Sequence, residues 1–546
     1  MKFRSIWLGV LGLLMVQNTV SAQEQIDTTI REQRLEFFQV YKPEIEQPRK
    51  KEVEAHLPNL KPTVPVFHYT VPQQMLSYTY NSVPIRPLAL GRVEKKIDFQ
   101  NYAQIGLGNK TSMLFDVGLA SIRDKDYEAT VHLKHFSQRY NPNQQVDAKT
   151  DFAVGGVYHF EEHDVGAKAY YNRHGLRYYG YPQNDFYFEE KDNKQAYSTI
   201  GLDVFLNNTA PTLWEINYAP EVQFKHYQDR WDHKERHFNF KAPFSYHLTE
   251  QIQLGLNLEG RFASLEVPNW STWNNVFSIT PEFKMFLKHA HFKAAVSNAY
   301  GEGGDIYWLP DLYAQFFLFN DGLKLDLGWK SDLLQNSFEE LSTLNPFIFG
   351  LNQVNQSKAD QVFVGFESRL ASRLTFGAQL SWRQWSDMPI FFNDYEVSEE
   401  GRKFNVHYSS KVQALNPEGF IHYQAGPNFG VKGHVAYTKY NVTEGFDRMY
   451  HRPTFKVGGS ALVKLFERLT LEGNVDFWNG IYGLDKYGND EKLNAFLDLQ
   501  LRGEYTFLDR WSVFLNVNNI LNQPYQRWMQ YDNYGINFIG GVRFKF

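Results

Sequence analysis

The sequence has no cysteine. That excludes disulfide scaffolds, thiolate zinc sites, iron–sulfur clusters and thiol catalysis. It also has no marked excess of one charge, with 56 Lys and Arg against 61 Asp and Glu. Nucleic-acid binders usually present a strongly basic face, so no nucleic-acid partner is expected. Beyond the first two dozen residues no apolar run approaches the roughly 18 residues of a spanning helix, which excludes a helical membrane fold. Mean hydropathy is −0.48, the value of a soluble chain. What the sequence has in excess is aromatic residues, at 16 %, with 45 Phe, 33 Tyr and 12 Trp. An average cannot explain that excess, but the order of residues can.

Residues 1–22 read as a secretory signal peptide. Lys2 and Arg4 form the charged start, Ile6 to Val16 the apolar core, and Val20-Ser21-Ala22 a small-residue cleavage site. Residues 23–99 form a second region. They carry Pro43, Pro48, Pro58, Pro62, Pro65, Pro72, Pro84 and Pro87, and the basic run Arg49-Lys50-Lys51. Proline fixes φ and cannot donate to a ladder, so this segment is expected to be extended or irregular. Phe37, Phe38, Tyr41, Phe67, Tyr69, Tyr78 and Tyr80 are many aromatics for a solvated linker. The segment is therefore expected to dock, as a periplasmic arm or a lumen filler.

Residues 100–546 alternate. In Leu493–Phe507 the set Ala495, Leu497, Leu499, Leu501, Gly503, Tyr505, Phe507 interleaves with Asn494, Phe496, Asp498, Gln500, Arg502, Glu504, Thr506. Leu469–Phe477, Ile252–Glu259 and Phe238–Leu248 do the same. Period 2 means strands with two different faces. A soluble sandwich would bury the apolar face against a second sheet. A membrane barrel points it at lipid and the polar face at a lumen. Strand length favours the barrel, since crossing needs roughly 9–11 residues whereas soluble strands average about 5–6. So do aromatics where apolar runs end, at Phe477 and Trp478 and at Tyr505 and Phe507, which suit an interfacial girdle. Connections also alternate between short ones (161–163, 320–322, 371–373, 426–428, 467–468 and 508–510) and long ones. The long ones cover about residues 172–192, 333–357, 388–406, 439–453, 478–493 and 522–535. Short periplasmic turns against long outer loops are the asymmetry of outer-membrane barrels. The fold class predicted is an all-β transmembrane antiparallel β-barrel of about 22 strands, with both termini periplasmic.

The last strand puts Phe538, Gly540, Val542, Phe544 and Phe546 on one face and Ile539, Gly541, Arg543 and Lys545 on the other. Phe538, Val542, Phe544 and the final Phe546 read as a C-terminal signal for the barrel-insertion machinery, which can take an extended strand at a sheet edge. Upstream, Val517-Asn518-Asn519-Ile520-Leu521-Asn522-Gln523-Pro524-Tyr525, followed by a loop and this strand, resembles the barrel end of TonB-dependent receptors. A looser likeness runs back to about residue 100. It implies a large receptor barrel of the Gram-negative outer membrane. The family's plug is a folded domain, and the Pro-rich segment is too short to supply it. The chain looks more like plug-lacking receptor-like barrels, in which Tyr41-Lys42-Pro43-Glu44-Ile45 and a later Pro/aromatic stretch precede the first strand.

Enzyme chemistry is not expected, and no cofactor or metal is expected. No G-x-S-x-G or H-E-x-x-H occurs. Gly106 to Thr111 reads as a hairpin and not a phosphate loop. Adjacent acids at Glu189-Glu190, Glu339-Glu340 and Glu399-Glu400 read chiefly as solvated loop charge, with divalent-ion or lipopolysaccharide contact as the alternative. Asp485, Asn489, Asp490 and Glu491 miss the calcium-loop spacing, and His289 and His291 read as an exposed turn. Glu259, Arg261, Glu472, Asp476, Asp498, Arg502, Glu504, Arg543 and Lys545 all fall on polar strand faces and are predicted to face the lumen. There they can pair across strands, or set pore selectivity.

Barrels of about 16–18 strands already leave an aqueous channel, so a larger one must be closed. The function expected is a transport or receptor conduit, closed by residues 23–99, by inward loops or by a partner. The alternative is a non-transporting subunit of a multiprotein outer-membrane assembly or secretion machine. Expected partners are outer-membrane lipid, lipopolysaccharide and other envelope proteins.

Overall fold

A computed structural model describes residues 101–120, 126–140, 144–210, 215–319, 322–370, 372–442 and 446–546. The expectations for residues 1–99 lie outside the described residues.

One antiparallel sheet of 24 strands accounts for the barrel. Two of these, Ile216–Tyr218 and Lys439–Val442, are short continuations on neighbouring strands, which leaves 22 staves. The first strand, Tyr102–Gly108, pairs with the last, Asn537–Lys545, so the sheet has no free edge. Closure lets the first and last strands pair within the sheet and leave no open edge to lipid.

The faces are inverted relative to a soluble protein. Leu501, Leu515, Val362 and Val364 are each more than two-fifths exposed. On the opposite face Asp326 and Glu235 are 0 % and 1 % exposed. A water-soluble fold does not leave such a continuous aliphatic surface bare, whereas a lipid-facing wall does. Phe160, Phe319 and Phe466 are exposed beside the short turns, and Trp273 and Trp308 towards the other end. These are the girdle positions of a membrane barrel.

Trp478 departs from that reading. It shares a face with Asp476 and is buried against Phe496 with ring centroids 4.7 Å apart. An aromatic at a strand end belongs to the girdle only if its parity points outward.

Wall height varies around the circumference. Trp270–Leu287 has 18 residues and Ile252–Val267 has 16. At the seam, Tyr102–Gly108 has 7 and Trp511–Asn518 has 8, below the crossing length expected. Backbone bonds extend the seam by a step at each end, from Asn109 to Phe538 and from Phe546 to Asn101. Glycine lets these strands approach, since a Cβ on Gly108 would lie 2.0 Å from the Phe538 carbonyl oxygen. Phe514 covers Gly106 and Gly541 on the inner side, an aromatic shielding bare backbone.

The six long connections span 178–193, 335–356, 387–411, 438–454, 480–495 and 519–536. All lie at the end opposite the termini, close to the bounds expected. Long and short do not alternate all the way round. The same end carries short links at 109–111, 230–233, 268–269 and 301–305. The neighbouring links 230–233, 268–269 and 301–305 make one arc of the rim low, and the 178–193 connection separates that arc from the short link at 109–111.

Candidate functional site

The long loops pack on one another and on the inner wall, and this loop-filled mouth is the candidate site. It is anchored by the helix Phe338–Leu344. Ser337 caps it: its Oγ accepts from Glu340 N at 3.1 Å, and Glu340 Oε2 accepts from Ser337 N at 2.9 Å. This reciprocal box satisfies two helix-end donors. A wall residue satisfies two more. Glu235 Oε1 and Oε2 accept from Phe338 N and Glu339 N, each at 3.0 Å. His237 Nε2 lies 3.0 Å from the same carboxylate. Lys225 Nζ pairs with Glu339 at 2.5 Å, and the Tyr227 hydroxyl meets Ser342 Oγ at 2.5 Å. The helix thus sits on two adjacent strands of the wall, Glu221–Asp229 and Lys234–His247, through polar contacts, while Phe338 and Leu341 fill the core above.

That core draws on several loops. Phe338, Leu341, Ile348 and Leu351 meet Phe391, Phe404 and Val406 of the 387–411 loop, and Trp528 and Tyr531 of the last loop. Leu176, Tyr197, Tyr227 and Leu265 complete it from the wall. Phe347 stacks on Tyr531 with centroids 3.5 Å apart. Two smaller cores adjoin it, one with Met388, Ile390, Phe392, Met449 and Tyr450, the other with Trp478, Ile481, Leu493, Phe496, Tyr525 and Met529. Backbone carbonyls tie loop to loop: Asn393 Nδ2 donates to Met529 O, and Arg527 donates to His451 O.

Cations are buried in this cap. Arg402 stands 2.9 Å from Glu400, donates to Asn193 Oδ1 at 2.5 Å, and stacks on Phe188. His451 donates from Nδ1 to Phe391 O at 3.1 Å and lies between Phe404 and Trp528. Burial pushes its pKa down to about 3, so it is neutral there.

The residues singled out from sequence fall into separate groups. Arg543 Nη1 donates to Glu504 at 2.7 Å and its Nε to Gln104 at 2.9 Å, and Ser512 donates to the other Glu504 oxygen. This network bridges the closing seam. Glu472 stands opposite Arg502 in register, and Asp476 opposite Asp498. Asp498 accepts from Asn519 N at 2.8 Å and from Gln500 at 2.9 Å. Glu259 lies 3.3 Å from Arg261, which donates to Leu333 O at the foot of the helix-bearing loop. Lys545 is exposed at the last step of the seam. Phe538 and Phe546 are exposed, Phe544 rests on Trp511 at 4.5 Å, and Val542 pairs with Ile105 and Val513.

Three acid pairs are not simply solvated. Glu339 and Glu340 seat and cap the helix, Glu400 is buried beside Arg402, and Glu190 pairs with Arg177. The Ser337-x-x-Glu340 spacing ahead of Leu341 and Leu344 was the available signal for that helix. Nothing in the order of residues announced Glu235 as its wall anchor. In the 480–495 loop, Asp485 accepts from the backbone N–H groups of Tyr487 and Asn489 and from Asn489 Nδ2, while Asp490 pairs with Arg448 and Tyr450. His291 lies between Phe286 and Phe317. Gly106 to Thr111 is a hairpin, with Lys110 and Thr111 at positive φ.

Comparison of the fold places it. The FrpB iron transporter of Neisseria meningitidis superposes with a TM-score of 0.65 at 10 % identity, over 82 % of this chain and 83 % of that one. The ferric enterobactin receptor PfeA of Pseudomonas aeruginosa gives 0.62 at 11 %, over 82 % and 80 %. The barrel has the fold of TonB-dependent receptor barrels. The siderophore receptor PirA of Pseudomonas aeruginosa matches with a TM-score of 0.59 at 10 % identity, over 82 % and 79 %. At these identities the likeness is one of fold, the fold of outer-membrane receptors and transporters. No protein-family model and no curated protein matches the sequence.

Proposed function

We propose that the receptor-like barrel is an outer-membrane conduit whose loop-side mouth is closed by its own loops. The observation that carries this is the common aromatic core, in which several long loops and the inner wall bury side chains together. Both termini face the periplasm. Residues 23–99 dock in or under the opposite mouth, a reading supported by their aromatic content and by the first described strand starting at that end. The paired charges of the inner wall stiffen it first and tune selectivity second. The strand carrying Phe538, Val542, Phe544 and Phe546 is read by the insertion machinery. Lipopolysaccharide and envelope proteins meet the long loops. The exposed Tyr187 and Tyr487 in those loops favour, as a second reading, a non-transporting subunit of a larger assembly.

The test is conductance in planar bilayers. Wild type should conduct little. Phe338→Ala with Leu341→Ala should raise conductance by unseating the helix, and removal of residues 23–99 should raise it again. Heat-modifiable mobility reports that each barrel is folded. Folded variants no more conductive than wild type would refute loop closure. Silent variants with stoichiometric co-purification of an envelope protein would support the assembly reading.

A further inference from the structure

Lys403 is 9 % exposed, and its ammonium lies among aromatic rings. Nζ is 3.3 Å from the Phe349 ring centroid, 5.2 Å from Trp231 and 5.8 Å from Tyr178. All three fall within the roughly 6 Å over which a ring face attracts a cation. The rings come from three connections far apart in sequence: 178–193, 230–233 and 335–356. The cation comes from a fourth.

The cage is built independently of its occupant. The Tyr178 hydroxyl donates to Ile348 O at 3.1 Å and accepts from Gln195 at 3.1 Å, so the fully buried base of the cage is fixed. Phe349 N donates to Phe404 O at 3.0 Å, and Trp231 N to Asp229 Oδ1 at 2.8 Å. Trp231 meets Phe349 edge-on at 5.3 Å. Trp231 and Phe349 are only partly buried, unlike Tyr178, so the approach to the cage is from their side.

Its occupant is held loosely by comparison. The Lys403 backbone is fixed, its carbonyl accepting from Asp394 N at 2.7 Å. Among the described residues, however, no carboxylate lies within ion-pair distance of its Nζ. Arg402, by contrast, has both Glu400 and Asn193. Desolvation, aided by the neighbouring Arg402 charge, pushes the Lys403 pKa down to about 8. Glu400, Asp192 and Asp394 act on it only from a distance, so an amine buried with no carboxylate in contact regains hydration when it swings out. The side chain can therefore leave while the rings and the backbone stay.

We propose that Tyr178, Trp231 and Phe349 form a binding site for an alkylammonium group, filled by Lys403 in the resting state and yielded to a ligand's ammonium from outside. The ligand class is a small organic amine or a zwitterionic lipid headgroup, which share this chemistry. A methylated ammonium suits the site better than the lysine, because it loses less hydration on entering an aromatic cage. The site goes beyond closure of the mouth, and its test reads binding and not conductance, so either idea can fail alone.

The experiment uses the full chain in maltoside micelles, with choline and glycerophosphocholine as probes. Acetylation by a water-soluble succinimidyl ester, read by mass spectrometry, reports whether Lys403 is out. Choline should raise Lys403 labelling several-fold and leave Lys456 unchanged. Lys403→Met should bind choline about tenfold more tightly in calorimetry, because the resident cation is gone. Phe349→Leu should lose both effects. Response to choline alone assigns the site to free amines. Response to glycerophosphocholine as well assigns it to headgroups. Unchanged labelling, with a folded Lys403→Met protein that binds choline no better than wild type, would overturn the proposal and leave the cage a purely internal contact.

Discussion

On the wall, acid meets base where Glu504 pairs with Arg543 and where Glu472 stands opposite Arg502. In the cap, cations meet rings: Arg402 lies on Phe188 and Lys403 on Phe349. Both regions face the inside of the barrel, yet they solve burial differently. The wall has a rigid ladder that fixes spacing to one partner per step, so charge can be matched with charge. The loops have no ladder. Their cohesion comes from large apolar surfaces, and the cations that remain among them are covered by the faces of the same rings. A regular backbone permits electrostatic matching, and an irregular one relies on bulk.

That contrast can be broken at several points. The largest expected effect is in the cap. Phe338→Ala should cost the loop core about 3–5 kcal/mol, because the ring is fully enclosed. Hydrogen exchange should then show residues 335–356 losing protection while the barrel strands keep theirs. Uniform loss across the barrel would show that the two regions are not separable.

Next is the wall seen from outside. Leu501→Arg, on the outer face near the middle of Phe496–Leu508, should cost roughly 2–4 kcal/mol, while Gln500→Asn on the other face should cost little. Heat-modifiable mobility of the two variants checks this, and equal shifts would mean the faces are misassigned.

The third effect depends on pH. His451 is neutral in the cap, with its pKa down at about 3 against the usual 6.5. The unfolded loop binds a proton that the folded one does not between those values. Cap stability is therefore full above about pH 6.5 and falls on acidification towards pH 3, by at most about 1.4 kcal/mol per pH unit. His451→Phe should flatten that dependence in proteolysis of the 438–454 loop.

The smallest effect is at the seam. Arg543 and Glu504 are both partly exposed. Glu504→Gln should cost less than about 1 kcal/mol and lose its effect in high salt.

The barrel was legible because a strand repeats every two residues and lipid enforces that repeat for the full crossing. Leu497 and Asp498 sort themselves by parity alone. Strand number and the six long connections followed from where the repeat stopped. The cap was not legible, because loops carry no period. Phe496 stands among polar residues and looked like an interruption, until the cap supplied Trp478 and Tyr525 as its neighbours. Glu340 was legible in the Ser337-x-x-Glu340 spacing, whereas Glu339 read as solvent charge because Lys225 is joined to it only by the fold. Glu235 lies more than a hundred residues from the helix it anchors. Such pairings are made by tertiary closure, and no spacing rule contains them.

The glycine seam also bears on how the last strand finds the first. Gly541 stands opposite Gly106, with Arg543 opposite Gln104 and Val542 opposite Ile105. A slip of one residue would turn the guanidinium outward towards lipid and Val542 inward, reversing both faces of the strand. A slip of two would keep the faces but bring a side chain onto Gly106, where Phe514 already lies against the bare backbone. The shortest stave thus still discriminates between registers: the join proofreads its own alignment before the ring is sealed.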